Sequence, residues 1–141
     1  MKQERKELLL RDLCGRLPYG VKAYIKNWSK LDRKYYEGVY TVESIDPLLN
    51  TIFADSERSC VEVIVGYDDY EIKPYLFPMS SMTDEEKEEY CQLQQRIIYN
   101  SKGVVNEDVT KYINFCYKKH LDINNLIPIG LAIDATGLNI Y

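Results

Sequence analysis

The sequence predicts an α+β fold: an N-terminal helix, a small five-stranded and mainly antiparallel sheet, two C-terminal helices and an irregular apolar tail. Three observations predict it. Leucines recur at helical spacing between residues 3 and 16, a two-residue alternation runs through residues 21–75, and helical periodicity with capping signals returns after residue 83. The sheet is expected to bend strongly or to close as an SH3-like barrel, because five short strands follow one another with only turns between them.

The first helix is read over residues 3–16. Leu9, Leu10, Leu13 and Leu17 mark one face, and Glu4 and Glu7 sit in the opening turns where the helix dipole favours acids. Gly15, then Pro18 and Gly20, supply stop signals.

Val21, Ala23 and Ile25 alternate with Lys22, Tyr24 and Lys26, the period of a half-buried strand. Residues 27–34 read as a polar loop carrying an exposed Trp28. Residues 36–45 form a long β-type run in which Gly38 suggests a bulge. Further strands are expected at 51–54, 60–65 and 70–73, with turns at Asp46-Pro47, 55–59 and 66–69 and a stop at Pro74. The connections are too short for helical crossovers, hence the antiparallel pairing. Pro74 and Pro78 then stiffen the passage from sheet to helix.

Thr83-Asp84-Glu85-Glu86 has the capping-box spacing, and Asp84, Glu85, Glu86, Glu88 and Glu89 match the positive end of the helix that follows. That helix is expected to run to about Tyr99 and to bury Tyr90, Leu93 and Ile97. Asn106 is read as the cap of a last helix over 107–120, with Val109, Ile113, Cys116, Tyr117 and His120 on one face and Lys118 and Lys119 at its negative end. Residues 121–141 are too apolar to be mobile and are broken by Pro128, Gly130 and Gly137, so they are expected to pack across the domain as irregular chain with a short turn of helix. The whole of 1–141 is read as one domain with three parts: 1–20, 21–75 and 76–141.

Composition agrees with a folded domain. The 141 residues are 45% hydrophobic and 28% charged, ordinary for a globular chain, and a chain of ~150 residues buries about two-thirds of its unfolded surface. The net charge of −4, from 18 basic and 22 acidic residues, opposes non-specific nucleic-acid binding. The apolar runs fall short of the ~7–15 residues of a signal peptide or the ~20 of a membrane span, so the cytoplasm is expected. Four cysteines without C-x-x-C spacing read as free, buried thiols of a reducing compartment.

Equipment for chemistry is sparse. The single histidine, His120, would have to serve any Cys-His or Ser-His-Asp pathway. Cys116, one helical turn earlier, could join it as half of a zinc site, but the spacing brings none of Cys14, Cys60 or Cys91 to complete it. A helix-terminal histidine matched to the dipole is the favoured reading. Asp134-Ala135-Thr136-Gly137 reads as a turn, no phosphate-binding glycine loop is present, and the paired acids lie in turns or at a helix start. No cofactor and no metal is expected, and the chain reads as a non-enzyme.

The unusual feature is 13 Tyr against 3 Phe and 1 Trp. Tyrosine suits interfaces, having an apolar body and a polar tip. Tyr24, Trp28, Tyr35, Tyr36 and Tyr40 are the candidate surface for a protein partner. Lys22, Lys26, Lys30, Arg33 and Lys34 lie among them, and basic residues interleaved with aromatics also suit single-stranded nucleic acid.

Three blocks, RDLCGRLPYGVK (11–22), KPYLFPMSSMT (73–83) and LIPIGLAIDA (126–135), resemble a family of short uncharacterised proteins of gut Bacteroides-type bacteria and their phages and prophages. The resemblance implies a mobile-element origin in a bacterial host cell and assigns no residue a role.

Overall fold

The computed structural model describes residues 1–98, 103 and 106–141. Among these are three α-helices and six strands, joined in one open sheet of order β4-β3-β2-β1-β5-β6. The fold class is α+β, as the periodicities require.

Helix α1 spans Gln3–Arg16 and places Leu9, Leu10 and Leu13 on the sheet. A short 3-10 turn, Leu17–Tyr19, follows, and Gly20 closes it in the left-handed conformation (φ 67°) with its N–H donated to Leu17 O. Gly15 does not end the helix. It stays helical, where a Cβ would run into the ring of Tyr117 on the last helix, so its role is close approach.

Strand β1 is Lys22–Ser29, longer than expected. Trp28 belongs to it rather than to a loop, since both neighbours extend the ladder: Trp28 lies opposite Tyr35 on β2, and its N–H donates to Asp69 O. Strand β2 is Lys34–Asp46. Its irregularity falls between Val42 and Ser44, where it pairs with β3, while Gly38 keeps regular register opposite Ile25. Strands β3 (Thr51–Asp55) and β4 (Cys60–Ile64) complete that side.

Strand β5, Tyr70–Leu76, runs through Pro74. The Trp28–Asp69 bond fixes the parity of the β1–β5 ladder and puts Pro74, opposite Ala23, at a pair that exchanges no hydrogen bonds. The missing N–H therefore costs the ladder nothing. The tail is more regular than expected. Ile133–Asp134 forms β6, parallel to β5 through Tyr75 and Leu76, and makes a sixth strand.

The expected barrel is not closed. Among the described residues no ladder joins β4 to β5 or β6, and the sheet is open with α1 covering one face. The main core gathers Leu9 and Leu13 with Val21, Ala23, Ile25, Ile52 and Val63, and Leu126 and Leu131 come from the tail. Burying each of the leucine, isoleucine and valine side chains is worth about 1.5–3 kcal/mol.

Helix α2 is Asp84–Ile98, so the expected end at Tyr99 lies outside the described residues. Its capping box is formed: Glu86 N–H donates to Thr83 Oγ1 (3.2 Å) and Thr83 N–H to Glu86 Oε1 (3.0 Å). Tyr90, Leu93 and Ile97 are half-buried rather than buried, because α2 packs mainly on α3 rather than on the sheet. Helix α3 is Asn106–Lys118, with Asn106 already helical. Phe115, Cys116 and Leu121 seed a second, smaller core with Phe77, Tyr90, Leu93 and Tyr112 around it. No described helix is long and apolar enough to cross a membrane.

Candidate interaction surface on the β1–β2 hairpin

Alternation along β1 and β2 divides the five candidate aromatics between two faces. Ala23 and Ile25 are buried under α1, so their cross-strand neighbours Tyr40 and Gly38, and Tyr36 beyond them, point to the helix side. Tyr24, Lys26 and Trp28 point to the other side, as do their neighbours Val39, Glu37 and Tyr35.

On the outer face Trp28 and Tyr35 pack edge to face with ring centroids 4.8 Å apart, and Lys26 Nζ stands 4.6 Å above the Tyr35 ring. Such aromatic pairs contribute about 0.5–1.5 kcal/mol beyond area burial. Tyr24 donates its hydroxyl to Glu37 Oε2 at 2.6 Å. That bond to a carboxylate, more than burial, pushes the Tyr24 phenol up to about 12.

On the inner face Tyr36 hydrogen-bonds Asp32 in the hairpin turn, and Lys34 Nζ lies 4.8 Å above its ring. Tyr40 is a core residue, 7% exposed, with its hydroxyl 3.5 Å from Ser59 Oγ. The basic residues are divided too. Lys26 faces out, Lys34 faces in, Lys30 and Arg33 lie in the exposed turn, and Lys22 Nζ is tied to Ile140 O at 3.0 Å. The five aromatics and five cations therefore form no single surface.

Of these ten, Lys22, Tyr36 and Tyr40 line a groove. β2 has 13 residues and β3 only 5, so β3 pairs with β2 only from Thr41 onward and leaves the edge of β2 before it open. The β3–β4 turn walls this edge into a groove of about 880 Å³, lined by Tyr36, Glu37, Val39 and Tyr40 on one side and by Asp55, Arg58 and Cys60 on the other. Cys60 donates its thiol hydrogen to Asp55 Oδ1 (3.2 Å), and that bond raises the thiol's pKa. Sequence reasoning missed the turn residues, which reach β2 only through folding. The unequal lengths of the β2 and β3 runs were the available signal.

The Cys116–His120 pair is placed differently from expectation. The helix ends at Lys118, and His120 sits beyond it in the left-handed region (φ 56°), its N–H donated to Tyr117 O and its C=O accepting from Phe77 N–H. Its ring is buried, stacked on Tyr141, and Nδ1 has no hydrogen-bond partner. Burial first, then the charges of Arg16 and Lys22, lowers its pKa to about 4. It is neutral at pH 7 and supplies no charge to the helix end, contrary to the dipole reading. Burial likewise raises Cys116 to about 11, so its thiol keeps its proton. Of the four cysteines only Cys116 is buried; Cys14, Cys60 and Cys91 are exposed, which corrects the expectation of four buried thiols. Among the described residues no three His, Cys, Asp or Glu side chains converge as a metal site. Asp134 makes a turn, its Oδ1 accepting from Thr136 N–H at 2.9 Å.

The block 11–22 contains a feature that sequence reasoning passed over. Asp12 and Arg16, both fully buried, form a bidentate ion pair (2.7 and 3.0 Å), and Arg16 Nη2 also donates to Leu121 O at 2.6 Å. Asn124 donates to Asp12 Oδ1 at 2.8 Å, and the guanidinium lies 4.8 Å from the Tyr117 ring centre. The network ties α1 to the end of α3 and the start of the tail.

Comparison with protein-family models, with curated proteins and with solved structures gives no match to this chain.

Proposed function

We propose that this chain is a non-catalytic protein-interaction module that engages its partner with the β1–β2 hairpin and the groove beside it. The observation that carries this reading is the groove of about 880 Å³ along the open edge of β2, rimmed by Tyr36 and Val39, both more than 40% exposed. Aromatic side chains that a partner can bury at the centre of an interface are the usual anchors of protein recognition. The protonated Cys116 and neutral, buried His120 support a role without nucleophilic chemistry. The three sequence blocks support a phage or prophage origin and work in the bacterial cytoplasm.

The test is crosslinking or affinity capture with the intact protein and its Trp28→Ala and Tyr36→Ala variants. Loss of partners from either variant is expected. Partners retained unchanged by both remove the hairpin from the reading.

A second reading, single-stranded nucleic-acid binding, draws on the Lys26–Tyr35–Trp28 stack of the outer face. It predicts affinity that falls steeply with salt. Binding that is absent, or insensitive to salt, removes it.

A further inference from the structure

We infer that the open edge of β2 binds an extended, lysine- or arginine-bearing peptide segment by strand addition. This rests on the interaction-module reading and names the partner's chemistry and the mode of contact.

The backbone carries the argument. Val42 N–H donates to Val21 O, so Val42 and, in steps of two, Tyr40, Gly38, Tyr36 and Lys34 turn their amides toward β1. The intervening Tyr35, Glu37 and Val39 must turn theirs the other way. β3 takes up that direction only from Thr41, opposite Asp55. Three N–H donors and three C=O acceptors therefore face the groove with no ladder partner among the described residues. Residues 35–39 offer an edge about 14 Å long at ~3.4 Å per residue, which a peptide of about five residues would cover. A free edge is the established template for adding a strand. Here it lies at the floor of a walled groove, in the lane that β3 leaves vacant.

The groove's charge selects the peptide. Glu37, Asp55 and Glu57 line it, and none of the three is in an ion pair among the described residues. Their hydrogen-bond donors are neutral, the Tyr24 hydroxyl for Glu37 and the Cys60 thiol for Asp55. Of the two lining cations, Lys22 is tied to Ile140 O and leaves Arg58 alone against three acids. A strand with cationic side chains on the Glu37 face is complementary, while Tyr36 on the opposite face takes apolar residues. A second copy of the chain is a poorer occupant. Two-fold pairing centred on the open edge sets Glu37 opposite its own copy, a like-charge pair.

The test uses the full chain and a synthetic peptide of about seven residues with lysine and valine alternating, against a counterpart with glutamate for lysine. Amide hydrogen exchange is followed residue by residue at peptide concentrations up to the millimolar range. The lysine peptide is expected to slow exchange at Tyr35, Glu37 and Val39, and to bind at least about tenfold more tightly than the glutamate peptide. Val39→Pro removes one groove-facing donor and no β1 bond, and is expected to weaken binding at least about tenfold. No binding, equal binding of the two peptides, or binding that leaves those three amides unprotected overturns the inference. So does concentration-dependent protection without peptide, which marks a second copy as the occupant. Partners captured by the intact protein and by Val39→Pro, but lost from Trp28→Ala and Tyr36→Ala, refute strand addition alone. Partners kept by all three variants refute the interaction surface itself.

Discussion

Tyr141 lies flat on His120, with ring centroids 3.7 Å apart and planes within 13°. Its hydroxyl accepts from Lys22 N–H (3.0 Å) and donates to Tyr75 O (2.8 Å), so Tyr141 closes over the junction of β1, β5 and the end of α3. Beneath it the imidazole is held neutral, its pKa lowered from 6.5 to about 4. Below pH 6.5 the unfolded chain takes up a proton that the folded chain refuses, so stability falls as pH drops from about 6.5 toward 4 and levels off below that. This one group should account for a loss on the order of 2–3 kcal/mol. Denaturant unfolding of the intact protein and of His120→Asn at pH 7 and pH 4.5 isolates it, since asparagine tolerates the left-handed backbone. The stability difference between the two pH values should shrink in the variant; an unchanged difference refutes the assignment.

The buried pair of Asp12 and Arg16 makes a prediction of another kind. Removing one partner strands a charge inside the protein, whereas removing both does not. Asp12→Ala and Arg16→Met are each expected to cost about 3–5 kcal/mol, and the double variant distinctly less than their sum. Urea unfolding of the four proteins in the cycle measures the coupling. Additive losses contradict the paired geometry.

The legibility of this fold follows from the range of the forces involved. Helix α1, the capping box at Thr83 and the strand alternation at Val21, Ala23 and Ile25 were readable because caps and periodicity act within a few residues. The end of α3 was misread by two residues because His120 is favoured there by a contact with Tyr141, which no local pattern reveals. Strand β6 and the run of β5 through Pro74 were hidden for the same reason, since both depend on which strand lies alongside. At the candidate surface the aromatic residue types were legible, but their division between two faces became clear only when Trp28 was placed in the ladder. The groove needed the β3–β4 turn, more than a dozen residues away in sequence.

Gly15 makes close packing testable. In a helix interior, alanine for glycine ordinarily gains up to about 1 kcal/mol. Here the new methyl would fall inside the contact surface of the Tyr117 ring, and overpacking costs about 1–3 kcal/mol. Gly15→Ala should therefore destabilise the protein, while the same change made on a Tyr117→Ala background should stabilise it. Thermal unfolding of the two pairs decides the matter by the sign of the effect. A gain in both backgrounds means that α1 and α3 are not in contact there.

Thiol chemistry reports the second core. Cys14, Cys60 and Cys91 are exposed, whereas Cys116 is 0% exposed between Phe115 and Leu121 and its thiol is raised to about 11. Reaction needs both access and the thiolate. Maleimide labelling at pH 7 followed by peptide mass spectrometry should modify the three exposed cysteines and spare Cys116 until denaturant is added. Cys60 should react faster once Asp55→Asn removes the carboxylate that raises its thiol. Labelling of Cys116 in the native protein at the rate of the others would mean that α3 opens readily from the end of β5, and that the small core does not hold as packed.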